Sequence, residues 1–171
     1  MQSTMGPDAY DWMLLAPQHL RETNMSLFKK ILVPLDGSNT SHKALDYAIK
    51  MAQSEKAQIR MVHCIDELSL LGGHEYTGDL IGLARDNAEK LLNSGKAAAS
   101  AVNVTADTLV IDRVGQRLGE SVADAAGDWG ADLIVLGTHG RRGIGRVLLG
   151  SGSEQIMRLS PVPVLMIRGF D

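Results

Sequence analysis

The run Ala131-Asp132-Leu133-Ile134-Val135-Leu136 passes directly into Gly137-Thr138-His139-Gly140, and Gly150-Ser151 then opens a stretch in which Ile156, Met157 and Leu159 follow helical spacing. A strand-length apolar run closed by glycine, with a helix behind the loop, is the building unit of a parallel sheet. Parallel strands need a crossover, the crossover is right-handed, and its helices cover the faces of the sheet. Repetition of that unit along a chain leaves little freedom of architecture.

The unit does repeat. Ile31-Leu32-Val33-Pro34-Leu35-Asp36 ends at an acid and Gly37-Ser38. Ala44, Leu45, Ala48, Ile49 and Ala52 then share one helical face, with Ser38 or Thr40 placed to cap it. Gln58 to Ile65 reads as a second strand, and Leu68 to Thr77, with Gly72-Gly73, as a loop. Leu80, Ile81, Ala84, Ala88, Leu91 and Leu92 predict a helix from Asp79 to about the alanines at 97–99. Val104 to Ile111 predicts a third strand, Leu118, Val122, Ala125 and Ala126 a third helix stopped near Gly127 or Gly130, and Asp132 to Leu136 a fourth strand. Pro161 ends the last helix, and Pro163-Val164-Leu165-Met166-Ile167 is the last strand.

Three expectations follow from this grammar. Pro34 deletes a ladder hydrogen bond, so it belongs near a strand end or at a bulge. Pro161 and Pro163 put the last strand close to a sheet edge, where an apolar edge invites pairing with another chain, and a homodimer through residues 163–168 is expected. In doubly wound sheets ligands sit beyond the carboxyl ends of the strands, where strand order reverses. If the first and fourth strands are neighbours, Asp36 and the glycine loop face one crevice.

With 171 residues the chain has material for one sizeable core. A formal net charge of -3, 44% hydrophobic and 22% charged residues describe an ordinary globular chain and leave no broad basic footprint for DNA. Its apolar runs are strand length, far short of the roughly 18 residues of a membrane span, so no membrane partner is expected. Cys64 is the only cysteine, no internal disulfide is possible, and a cytoplasmic location is expected. Residues 1–26 lack a continuous apolar signal segment and read as a poorly ordered extension, with the domain at 27–171.

Glycine lets backbone N–H groups approach a polyanion, and a following helix presents its own unpaired N–H groups to it, so the loop after Leu136 suits a phosphate-bearing ligand. The alternative for Gly137, Gly140 and Gly150 is plain turn chemistry at positive φ. Asp36 before Gly37-Ser38 is equally the pattern of a turn or helix-cap aspartate. Arg141, Arg142 and Arg146 are either a solvated basic loop or charge neutralisation for phosphates. His139 and His63 have no companion at metal-ligand spacing, and no metal ligands or catalytic residues are assigned. Cys64, inside Met61-Val62-His63-Cys64-Ile65, is the pattern of a buried, inert thiol. There is no Gly-x-x-x-x-Gly-Lys-Ser/Thr, and Gly143-Ile144-Gly145 and Gly150-Ser151-Gly152 each lack the third glycine of a dinucleotide fingerprint.

What remains, Gly137-x-x-Gly140-x(9)-Gly150-Ser151 behind a buried strand, resembles the ATP-binding signature of the universal stress protein family. Ile31 to Ser38 resembles that family's opening strand and turn, proline included. Met61 to Asp66 is similar to its second strand, and Ala131 to Gly137 and Pro161 to Arg168 complete the pattern over roughly 27–168. The resemblance implies an open five-stranded parallel α/β sheet of order 3-2-1-4-5 with helices on both faces, usually dimeric, in the subclass that holds ATP. It implies that Asp36, with Pro34 and Leu35 before it, meets the ribose and that the strand around Cys64 lines the adenine. Gly137, Thr138, His139 and Gly140, weakly Arg141 and Arg142, and then Gly150, Ser151, Gly152 and Ser153 would wrap the triphosphate, with Mg²⁺ accompanying it. Gly152 departs from the larger residue expected after the serine, which predicts a looser helix start.

Three classes of function stay open at this level. One is a cytoplasmic, ATP-dependent regulatory module of the stress response. Another is a slow ATP hydrolase or self-phosphorylating enzyme on the same fold, although the P-loop lysine is absent. The third is a nucleotide-free scaffold that binds partners through the last strand.

Overall fold

The computed structural model describes residues 26–65, 78–113, 115–138 and 150–168. Every apolar run expected to be a strand is one: β1 (Lys30–Pro34), β2 (Gln58–Cys64), β3 (Ala106–Ile111), β4 (Leu133–Gly137) and β5 (Val164–Ile167). They make a five-stranded sheet in the order β3-β2-β1-β4-β5, with every neighbouring pair parallel. The crossovers carry α1 (Asn39–Glu55), α2 (Gly78–Ser100), α3 (Leu118–Trp129) and α4 (Ser151–Leu159). The loop expected at 68–77 lies outside the described residues.

Strand alternation sorts the core into two layers. Ile31, Val33 and Leu35 of the first strand segment, Ile59 and Met61 of β2, and Leu133 and Val135 of β4 face α1 and α2. Leu32, Val62, Ile134 and Leu136 face the other way, onto Val122, Ala125 and Ala126 of α3 and Ile156 of α4. Ile31, Leu32, Val33, Ile134 and Val135 are fully buried, as a central parallel strand covered on both faces requires. Ser38 is the cap of α1, its hydroxyl accepting from the Ser41 amide at 3.2 Å. Of the two glycines expected to stop α3, Gly130 does so, in the left-handed conformation at φ +67°.

Pro34 is the last residue of β1, a central strand. The Lys30 carbonyl accepts from the Asp132 amide (3.0 Å) and the Leu35 amide donates to the Val62 carbonyl (2.8 Å). Even-numbered residues of β1 therefore turn their peptide groups to β4 and odd-numbered ones to β2. The missing N–H of Pro34 faces β4, beyond the last β1–β4 pair, Leu32↔Ile134, whereas β1 stays paired with β2 through Pro34↔Val62. The proline sits where no ladder bond is asked of it.

The layer of α3 and α4 is set by small residues. A Cβ on Gly119 would stand 2.8 Å from the Gln155 backbone, and one on Gly152 would stand 2.7 Å from the Leu118 side chain. The glycine after Ser151 thus permits close helix packing, a reason of contact rather than a looser helix start. Gly127, in the same helix as Gly119, has nothing within 4 Å of its Cβ position. Helix propensity alone favours alanine at both sites by about 1 kcal/mol, but at Gly119 the clash is with backbone and cannot be relieved by a rotamer. Gly127→Ala is expected to stabilise the fold by about 0.5–1 kcal/mol and Gly119→Ala to destabilise it by about 1–3 kcal/mol. Urea midpoints at unchanged m-value measure both signs.

Candidate functional site

Strand order reverses between β1 and β4, and α1 and α4, which follow them, depart to opposite faces of the sheet. A crevice beyond the carboxyl ends of these strands is the consequence. Two residues past β1, Asp36 Oδ1 accepts from the Ser38 amide at 2.9 Å and from the Ser38 hydroxyl at 2.6 Å. Gly37 between them takes φ +81°, a conformation open to glycine and costly for other residues. Asp36 is thereby held against the N-terminus of α1, whose own first turn carries no acid, and an anion there is stabilised by the helix dipole. The local pattern is the turn aspartate, and the place is the switch-point crevice; the two readings coincide at one carboxylate.

The β4 side of the crevice is built by contact. The Thr138 amide donates to the Ile167 carbonyl of β5 at 3.0 Å, so the preceding Gly137 turns its peptide group toward β1. A Cβ on Gly137 would lie 2.8–2.9 Å from the backbone and Cβ of Thr40, in the first turn of α1. Glycine is required here by close approach, since Gly137 does not take a positive φ, and neither does Gly150, which caps α4 at φ -61° and ψ 142°. The Gly150 amide donates to the Thr138 carbonyl at 2.9 Å and the Ser153 hydroxyl to the Gly137 carbonyl at 2.8 Å. These two bonds fasten the start of α4 to the end of β4. The N-cap of α4, Gly150, has no side chain to offer, and Ser151, the first residue of the helix, is exposed.

The β2 side is half-buried at His63 and Cys64. The Leu35 side chain is 2% exposed and belongs to the α1/α2 layer, so only its backbone borders the crevice. His63, read from the sequence as a strand residue, donates from Nδ1 to the Leu35 carbonyl at 2.6 Å and ties the end of β1 to β2. Cys64 packs against the α3/α4 layer. Burial pushes its thiol up to about 12, with the Arg113 charge a smaller opposing influence. Pro34, Asp36, Gly137, Thr138, Gly150, Ser151 and Ser153 therefore converge on the carboxyl ends of β1 and β4. Gly152 turns instead to Leu118. His139, Gly140, Arg141 and Arg142 lie outside the described residues. Thr40 escaped the sequence reading except as a possible cap, because its contact with Gly137 has no periodic signature.

Among the described residues no group of three or more His, Cys, Asp or Glu side chains could hold a metal ion, and no helix is long and apolar enough to cross a membrane.

The sequence profile of the universal stress protein family matches residues 27–168. The chain is 31% identical to universal stress protein MJ0531 of Methanocaldococcus jannaschii over 145 residues, 84% of each protein. Its fold is similar to that of hypothetical protein MJ0577, with a TM-score of 0.75 at 26% identity, covering 85% of this chain and 99% of that one. It is similar also to a universal stress family protein of Burkholderia pseudomallei, with a TM-score of 0.67 at 30% identity, covering 83% and 97%. Two further universal stress proteins share the fold at lower identity. One was solved in complex with cAMP (21% identity, TM-score 0.59, covering 82% and 97%). The other, from Archaeoglobus fulgidus, was solved in complex with dAMP (20%, TM-score 0.61, covering 82% and 98%).

A thiol held as high as that of Cys64 is almost wholly protonated near neutrality. Its contribution to stability is fully present below the unfolded thiol's value of about 8.5 and is lost as pH rises toward 12. At pH 8 the native protein should react with iodoacetamide at least about a hundredfold more slowly than the urea-unfolded chain. Equal rates in the two states would contradict the burial described.

Proposed function

We propose that this chain, which belongs to the universal stress protein family, holds ATP between the carboxyl ends of β1 and β4 and works as a nucleotide-dependent regulatory dimer in the cytoplasm. The observation that carries the reading is the Asp36 carboxylate, fixed two residues past β1 at the switch point, next to a strand, β4, whose last glycine is packed to the backbone of α1. The adenine nucleotides held by the cAMP and dAMP complexes of related folds support the ligand class. Asp36 takes the ribose hydroxyls and the β2 end around Cys64 lines the base. The N-terminus of α4 at Gly150 and Ser151, with the Gly137 to Arg142 segment, takes the phosphates through N–H groups and hydroxyls. Mg²⁺ accompanies the phosphates, whose charge it neutralises.

Regulation requires ATP to bind two states with different affinity. The dimer surface we assign is the β5 edge, where Leu165 is 36% exposed on a strand paired on one side only.

Two measurements test this reading. Protein stripped of ligand should bind ATP with measurable heat and a raised melting temperature, and Asp36→Ala should weaken binding by about tenfold or more, the loss of a hydrogen bond to a charged group, while circular dichroism stays native. A stripped, folded wild type that shows neither heat nor thermal shift would rule out the nucleotide site. Light scattering is expected to give twice the chain mass for the wild type and the chain mass for Leu165→Asp; an unchanged dimer in the variant would place the interface elsewhere.

A further inference from the structure

The nucleotide reading leaves one residue without a role. Ser38 caps α1, but its hydroxyl is spent on Asp36: the Oγ–H donates to Asp36 Oδ1 at 2.6 Å, shorter than the 2.9 Å bond from its own backbone amide to the same oxygen. A hydroxyl has one proton. With that proton on the carboxylate, Ser38 Oγ accepts from the Ser41 amide at 3.2 Å, and in its 3.1 Å contact with Thr40 Oγ1 the threonine is the donor. Donors thus run in one direction, from the first turn of α1 through Ser38 to Asp36. The serine steers one carboxylate oxygen and holds it fixed, where an unsupported aspartate beside Gly37 would sample several rotamers.

We propose that Ser38 is the positioning residue for sugar recognition: by holding Asp36 Oδ1 it sets the orientation in which the carboxylate accepts from ribose hydroxyls, and so sets the preference for ribonucleotides over deoxyribonucleotides. This rests on the nucleotide reading above and deepens it to a specificity of the same site. Asp36 is half-buried, and an acceptor held in place for a hydroxyl discriminates against a ligand that lacks one.

The test uses a readout that loss of a helix cap does not move. Glycine is nearly as good as serine at an N-cap position, so Ser38→Gly removes the hydroxyl with little effect on α1. Affinities for ATP, 2′-deoxy-ATP and 3′-deoxy-ATP are measured by calorimetry on the stripped full chain. The wild type is expected to prefer ATP over at least one deoxy analogue by about tenfold. In Ser38→Gly that ratio should fall to about twofold or less, and Ser38→Thr should restore it. Equal binding of all three by the wild type, or an undiminished ratio in Ser38→Gly, would overturn the positioning role while leaving the ATP site standing. Failure of the folded wild type to bind any of the three would overturn both.

Discussion

Two adjacent strands that send their chains to opposite faces of a sheet cannot close over each other's ends, and this constraint organises the molecule. β1 and β4 lie side by side, α1 leaves β1 for one face and α4 leaves β4 for the other. The ladder between them stops at Leu32↔Ile134, two residues before β1 itself ends, while β1 and β2 remain paired. Pro34 occupies the place where the backbone donor has no work to do. The same residue that looks like a flaw in a central strand is compatible with it because the strand has already parted from its neighbour on that side.

The crevice left by that parting is built by contacts of unequal kinds. On the β1 side, a carboxylate, two hydroxyls and the first amides of α1 form a short hydrogen-bonded chain. On the β4 side, the determining feature is the absence of a side chain at Gly137, against which the first turn of α1 rests. Thr40 belongs to both: its hydroxyl touches Ser38 and its backbone touches Gly137. The N-terminal turn of α1 is therefore the common support of the two halves.

Most of the fold was legible because it is periodic. Apolar runs and helical spacing place every described strand, and the start of every described helix, to within a residue or two, and the pleat at 31–35 and 133–136 then assigns each side chain to its layer. The site was legible in part. Asp36-Gly37-Ser38 is a local pattern, and local hydrogen bonding honours it. Gly137 and Gly152 were read as loop and helix-start chemistry, yet their glycine character answers to Thr40 and Leu118, residues far away in the chain. Contacts of that kind depend on which helix comes to lie against which strand end, and they leave no trace in spacing or composition. His63 was correctly read as a strand residue, but its bond to the Leu35 carbonyl appears only once β1 and β2 are in register.

The 2.9 Å bond between the Thr138 carbonyl and the Gly150 amide works together with the 2.8 Å bond from the Ser153 hydroxyl to the Gly137 carbonyl. Both run between the last residues of the β4 arm and the first turn of α4, so the helix is hinged to the sheet by main-chain acceptors. Side-chain replacement at Thr138 leaves those acceptors in place, and the angle at which α4 departs is therefore insensitive to what that position carries.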